Sequence, residues 1–331
     1  MIRRLLTGLA LALALPIAAQ AQQISFRLGT VDTPNTHSGV GAEAFAAAVA
    51  RLSNNTMRVQ VFHAGQLGNI PEQQRNVLSG AQDMHLLYPE FLDSLIEETR
   101  IIAAPYVFRN HAHQQAFFRS DIFRPASERL RALGGTIIDQ EWTWWQMDPR
   151  GVIAVRPIRT LQDLQGLRLR IWESRTAIAT WRGLGANTIV VPRPEMYLAF
   201  QQRIIEGGPE TIGIAVDQRN AELAKYWSRT DEYFQIVNVM INTRRWDALT
   251  EEQRTILRQA SLEGGRAYRA ESERGFTAKR ERAERELGVT VIEPDLGPWR
   301  ERARAIVQQL EADGNLPRGL AARVAALQPT N

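Results

Sequence analysis

The chain has 331 residues, 44% of them hydrophobic and 23% charged, with 40 basic against 36 acidic side chains and no cysteine. That length holds two globular domains able to bury cores without disulfide or metal staples, and the missing cysteine excludes thiolate zinc sites, iron–sulfur clusters, cysteine nucleophiles and dithiol redox pairs. The formal charge of +4 comes almost wholly from arginine, since only Lys225 and Lys279 are lysines, and with no concentrated basic block it does not indicate a nucleic-acid partner.

Residues 1–21 read as a cleavable secretory signal. Arg3 and Arg4 form its positive start, an apolar run broken by Pro16 follows, and Ala19 and Ala21 supply the small residues a signal peptidase inspects. The apolar run is too short to span a bilayer comfortably. The expected mature chain therefore starts near Gln22 and works outside the cytoplasm, in the periplasm.

Two hydrophobic periods then alternate. Residues 24–30 alternate as a half-buried strand, 39–52 place Phe45, Val49 and Leu52 on one helical face, and 58–62 are again strand-like. A helix is expected over 70–79 after Pro71, a strand over 84–87, and one helix over 112–133 stopped by Gly134 and Gly135. Strands are expected at 136–139, 151–155 and 167–172, helices at 175–183 and 194–203, and an apolar strand at 233–241. Thr250-Glu251-Glu252-Gln253 is a capping box opening a long helix to about Leu287. Such alternation implies an α/β protein with largely parallel sheets. No low-complexity linker separates two halves, as expected where domains share crossing strands.

Several fragments imitate functional motifs. Gly39-Val40-Gly41-Ala42-Glu43-Ala44 has dinucleotide-fingerprint spacing, but the preceding strand ends too early and no acidic residue closes the next one, so small-residue helix packing is the better reading. His111 and His113 lack a nearby third ligand and read as an exposed helix start. No nucleophile elbow, Walker loop or zincin motif is present, and no nucleophile–base constellation indicates an enzyme. The dense feature lies between Trp142 and Arg193. It holds Trp142, Trp144, Trp145, Trp172 and Trp181 together with Arg150, Arg168, Arg170, Arg175, Arg182 and Arg193. Arginine binds carboxylate bidentately and aromatic rings exclude competing water, so this suits a small anion; a core of tryptophans with surface arginines explains the same composition.

Within that stretch, Arg156-Pro157-Ile158 and Leu161-Gln162-Asp163-Leu164-Gln165-Gly166-Leu167-Arg168-Leu169-Arg170 resemble a signature of the substrate-binding proteins of TRAP transporters, the DctP family. Leu184-Gly185-Ala186-Asn187 and Glu195-Met196-Tyr197-Leu198-Ala199-Phe200-Gln201 resemble a second block. Upstream, Gly65-Gln66-Leu67-Gly68, Gly80-Ala81-Gln82-Asp83-Met84 and Pro105-Tyr106-Val107-Phe108 match further blocks in order, across nearly the whole mature chain.

The resemblance implies a periplasmic binding protein-like α/β clamp of two interwoven domains, with crossing strands and a long spanning helix. The expected division is 22–147 plus 236–275 for one domain and 148–235 plus 276–331 for the other, with the ligand cleft between them. It implies a monomer with no cofactor, binding a small organic acid for the membrane subunits of a TRAP transporter. Arg170 stands where the family places its carboxylate-binding arginine, Arg150 at a second arginine position, and Tyr88 where members present a ligand-facing side chain. Trp172 leaves the same strand face as Arg170 by the period of two, and Trp145 is a further candidate wall. Departures bear on specificity. Glu210 replaces a usual asparagine and Arg193 a usual aromatic residue. A carboxylate in the pocket repels a dicarboxylate unless an arginine neutralises it, which favours a hydroxylated monocarboxylate such as a sugar acid; an amino-acid-like zwitterion, a dicarboxylate or a sensory ligand-presenting role remain alternatives.

Overall fold

In a computed structural model, residues 23–328 are described. The secretory-signal reading of residues 1–21 lies outside them. The chain lays down β1 (Ile24–Gly29), α1 (His37–Leu52), β2 (Met57–Phe62), α2 (Ile70–Ser79) and β3 (Met84–Leu87). Thr36 caps α1, and Asn69 with Glu72 forms a capping box on α2. Gly80 ends α2 at φ 90°, the left-handed conformation that glycine adopts without a Cβ penalty. β1 lies parallel to both β2 and β3.

The single helix expected over 112–133 is two, α3 (His111–Phe118) and α4 (Arg124–Ala132). Pro125 has no amide hydrogen to continue a helix from upstream, and its ring suits the first turn of a new one. Nor is the helix start at His111 and His113 exposed. His113 is fully buried, accepting the Arg109 N–H at 3.1 Å on Nδ1 and holding the Val324 carbonyl at 2.8 Å with Nε2.

After β4 (Gly135–Ile137) and the short β5 (Trp144–Trp145), the chain crosses to a second sheet. There it forms β6 (Gly151–Ala154), β7 (Arg168–Ile171), α5 (Arg175–Gly183), β8 (Asn187–Val190), α6 (Met196–Gln201), β9 (Gly207–Glu210), α7 (Ile212–Asp217) and β10 (Tyr226–Arg229). It then crosses back as β11 (Ile236–Asn242), followed by α8 (Thr243–Asp247) and α9 (Glu251–Arg285). The chain ends with β12 (Thr290–Ile292), α10 (Gly297–Ala312) and α11 (Leu320–Ala325). One sheet has the order β2-β1-β3-β11-β4 with β5 against β11; the other runs β12-β10-β6-β9-β7-β8.

Both sheets are mixed, where largely parallel ones were expected. β11 runs antiparallel to β3, β4 and β5, and β6 antiparallel to β9 and β10. Both are strands that enter a lobe from the other one. A helical crossover forces neighbouring strands parallel, and these two arrive without one. The two crossing segments lie side by side, with the Gln146 N–H on the Gln235 carbonyl and the Thr230 N–H on the Arg150 carbonyl, both at 3.0 Å.

α9 spans both lobes. In its first half Gly264 and Gly265 pass close to Trp144, and Gly41 of α1 meets the same ring, so the helix-packing reading of the Gly39–Ala44 fragment describes the contact seen. The Trp144 Nε1–H bonds the Ser261 carbonyl at 2.9 Å. Further along, Lys279 binds Asp217 of α7, and Ala283 is buried in the second lobe's core. A larger core runs across the lobes, from Leu92 and Phe117 to Leu169 and Trp299. α10 packs on α5, and α11 returns to the 3-10 turn Glu97–Ala103 of the first lobe.

Candidate functional site

A cleft opens where the lobes meet, enclosing about 570 Å³ of empty space with its mouth included. Four elements position its polar floor. β7 delivers Arg170, and Trp172 follows on the same face, the alternation a strand imposes. The first crossing segment brings Arg150 and the second brings Tyr233, while the turn after β8 brings Arg193. The Arg150 guanidinium lies 4.4 Å from the Tyr233 ring centroid and 5.8 Å from that of Trp172, a partly desolvated cation–π arrangement.

The three arginines have different neighbours. Arg193 reaches across the cleft to Asp32, just beyond β1, at 3.1 Å. Asp32 is fully buried and also receives the Tyr88 hydroxyl; burial alone raises a carboxyl pKa, but Arg193, Tyr88 and Ser38 outweigh it and hold Asp32 below the usual range. Arg150 sits 3.5 Å from buried Glu232, and its Nε–H has no protein acceptor. Arg170 is buried, with its Nε–H on the Val191 carbonyl at 2.8 Å, and forms no ion pair among the described residues. Burial and the neighbouring Arg193 both pull its pKa below the ordinary arginine range, so Arg170 is a cation short of an anion.

The sequence-derived candidates separate into two groups. Arg150, Arg170, Trp172 and Arg193 line the cleft. Tyr88, Glu210 and Trp145 do not. Tyr88 lies beneath Arg193, 5.6 Å from ring centroid to guanidinium, with its hydroxyl spent on Asp32. Glu210 is turned away behind Pro209, both its oxygens receiving the Asn220 amide at 3.2 Å. Burial pushes its pKa up to about 7 against the pull of Arg193 and Asn220. Glu210 therefore does not supply the cleft carboxylate on which the expected preference for hydroxylated ligands was argued. Trp145 stacks under Arg269 at 4.7 Å and beside His111, Trp142 stacks on Phe118 at 3.9 Å, and Trp144 packs on α9.

Sequence reasoning missed Asp32, Glu90, Phe91 and Tyr233. Asp32 and Glu90 each follow a strand of the first sheet, a position at which open α/β sheets present ligand-facing residues, and that signal was readable. Tyr233 carries no local signal, because its place depends on the second crossing.

Residues 28–313 match the model of the DctP family, described as "Bacterial extracellular solute-binding protein, family 7". The chain is 25% identical over 277 residues to a solute-binding protein of Verminephrobacter eiseniae, covering 83% of this chain and 81% of the relative. It is 26% identical over 268 residues to the C4-dicarboxylate-binding periplasmic protein DctP of Rhodobacter capsulatus, covering 79% of each. The fold is similar, at TM-score 0.84 and 21% identity, to the sugar acid binding protein DctPAm of Advenella mimigardefordensis in complex with galactonate, over 92% of this chain and 97% of that one.

Proposed function

Because the chain belongs to the DctP family, family 7 of the bacterial extracellular solute-binding proteins, we propose that it captures a small organic acid by its carboxylate at Arg170 and delivers it to the membrane subunits of a TRAP-type secondary transporter. Proteins of this family bind solutes for transport and are not enzymes. One observation carries the reading: Arg170 is the cleft arginine that Asp and Glu side chains leave without an ion pair. A carboxylate there meets a charge-assisted, water-poor site worth about 1.5–3 kcal/mol per bond.

Charge counting favours one carboxylate on the ligand. Arg193 is matched by Asp32 and Arg150 by Glu232, so a second ligand carboxylate has no free cation to meet. The C4-dicarboxylates named for the Rhodobacter relative fit this less well than a monocarboxylate, the class to which the galactonate of the Advenella structure belongs. Delivery takes place in the periplasm after removal of residues 1–21; among the described residues no helix is long and apolar enough to cross a membrane.

Native mass spectrometry of freshly purified protein tests the reading. Wild type should carry a small acid that Arg170→Ala, folded by circular dichroism, no longer retains. Retention of the same acid by that variant refutes the assignment of Arg170.

A further inference from the structure

The carboxylate-binding reading leaves the ligand's body unassigned, and the cleft walls bear on it. Besides the arginines the cleft is lined by Val31, Ile70, Pro71, Phe91, Pro192 and Pro209. None offers a side-chain hydrogen bond, and the three prolines offer no backbone N–H. The neutral polar groups nearby are partly engaged. The Asn69 side-chain carbonyl accepts the Glu72 N–H at 3.0 Å to cap α2, while its amide nitrogen has no partner among the described residues. The Tyr233 hydroxyl donates to Gln235 at 2.8 Å, and Gln235 in turn donates to Glu90 at 2.9 Å. Glu173, at the mouth, is exposed to solvent.

The buried polar atoms still without a protein partner do not belong to those apolar walls. The Nε1–H of Trp172 and the Nε–H of Arg150 are both unpaired, on residues whose rings and guanidinium stack together in the cleft floor. These donors and Arg170 suit the oxygens of one carboxylate. Beyond the arginines and Trp172, the lining side chains offer a further polar group only Oε2 of Glu90, the Asn69 amide nitrogen and, on the solvent side, the Glu173 carboxylate, fewer partners than the row of hydroxyls on a sugar-acid chain requires. Each buried hydroxyl without a partner loses its water for nothing, whereas a hydrocarbon body gains by leaving water for such walls.

On this basis, and resting on the carboxylate reading above, we infer that the cleft takes a monocarboxylate with an apolar aliphatic or aromatic body and selects against polyhydroxylated acids. The ligand lies with its carboxylate on Arg170, Trp172 and Arg150 and its hydrocarbon against Phe91, Ile70 and the prolines. The preference belongs to the walls, so it is separable from the charge at Arg170.

The experiment uses mature protein, unfolded and refolded to strip bound solute, titrated calorimetrically at several temperatures. 4-Methylpentanoate and phenylacetate form one arm, galactonate and glucuronate the other, each against wild type and Arg170→Lys. The inference expects the apolar acids to bind at least about tenfold more tightly than the sugar acids. Their binding should show a negative heat-capacity change from apolar burial and should weaken in Arg170→Lys. Tighter binding of galactonate or glucuronate overturns the inference and leaves the carboxylate reading standing. Binding of neither arm, or equal binding by wild type and Arg170→Lys, overturns the carboxylate reading and this inference with it.

Discussion

Arg150, Arg170 and Arg193 are chemically identical, yet each has its duty set by what lies within a few ångströms. Glu210 shows the same dependence in a carboxyl. Its ordinary pKa of 4.5 rises to about 7 in the fold because burial outweighs its attraction to Arg193. The folded state thus prefers the protonated form. The stability Glu210 contributes is complete below its unfolded pKa and is lost as pH rises through about 7. Glu210→Gln mimics the protonated carboxyl, so the variant should gain on wild type as pH rises from about 5 to about 8, reaching on the order of 2 kcal/mol. Chemical denaturation at several pH values measures this, and a difference that stays flat over that range refutes it. Taking variant against wild type cancels the opposite pH trend of buried histidines such as His85, whose pKa burial lowers to about 3.

Elements were legible wherever a local rule governs them. The Thr250 capping box starts α9, Asn69 and Pro71 start α2, and the alternation along β7 puts Arg170 and Trp172 on one face. β5 and the split between α3 and α4 were not legible. A strand of two residues has no period to read, and the apolar pattern of 112–133 runs through the Pro125 break. The α1–α9 contact depends on glycine size in a way that can be measured. A Cβ on Gly264 would lie 2.4 Å from Cζ2 of Trp144, with the Gly41 carbonyl at 3.0 Å on another side, so neither ring nor backbone can yield freely. Gly264→Ala should cost about 1–3 kcal/mol despite its better helix propensity, read as a lowered Tm. An unchanged or raised Tm would show that the interface relaxes.

At the scale of the whole molecule, the lobes are joined by more than the crossing segments. Arg193 and Gln218 of the second lobe both reach Asp32 of the first, at 3.1 and 3.4 Å. Asn35 bonds Asp217 at 3.3 Å, with Lys279 of α9 on the same carboxylate. Ser174 donates to Asp93 at 2.7 Å. These bonds tie the cleft's two rims together through protein groups alone. Arg193→Gln removes the charged member and leaves Asp32 its Tyr88 hydroxyl bond, so the unliganded variant should open and show a larger radius of gyration by small-angle X-ray scattering. An unchanged radius would assign closure to the remaining bonds.

The residues by themselves determined the α/β class, the family resemblance, the helix starts and the placing of Arg170 beside Trp172. All of these depend on neighbours a few positions apart or on ordered blocks along the chain. The tertiary structure decided which arginine is free. Arg193 meets Asp32 across 161 positions and Arg150 meets Glu232 across 82, pairings that exist only because the chain crosses between lobes and back. The same crossings sent Trp142, Trp144 and Trp145 away from the cleft and turned Glu210 behind Pro209. Coulomb energy and desolvation depend on distance through space, and spacing along the chain does not encode that distance once the lobes are interwoven.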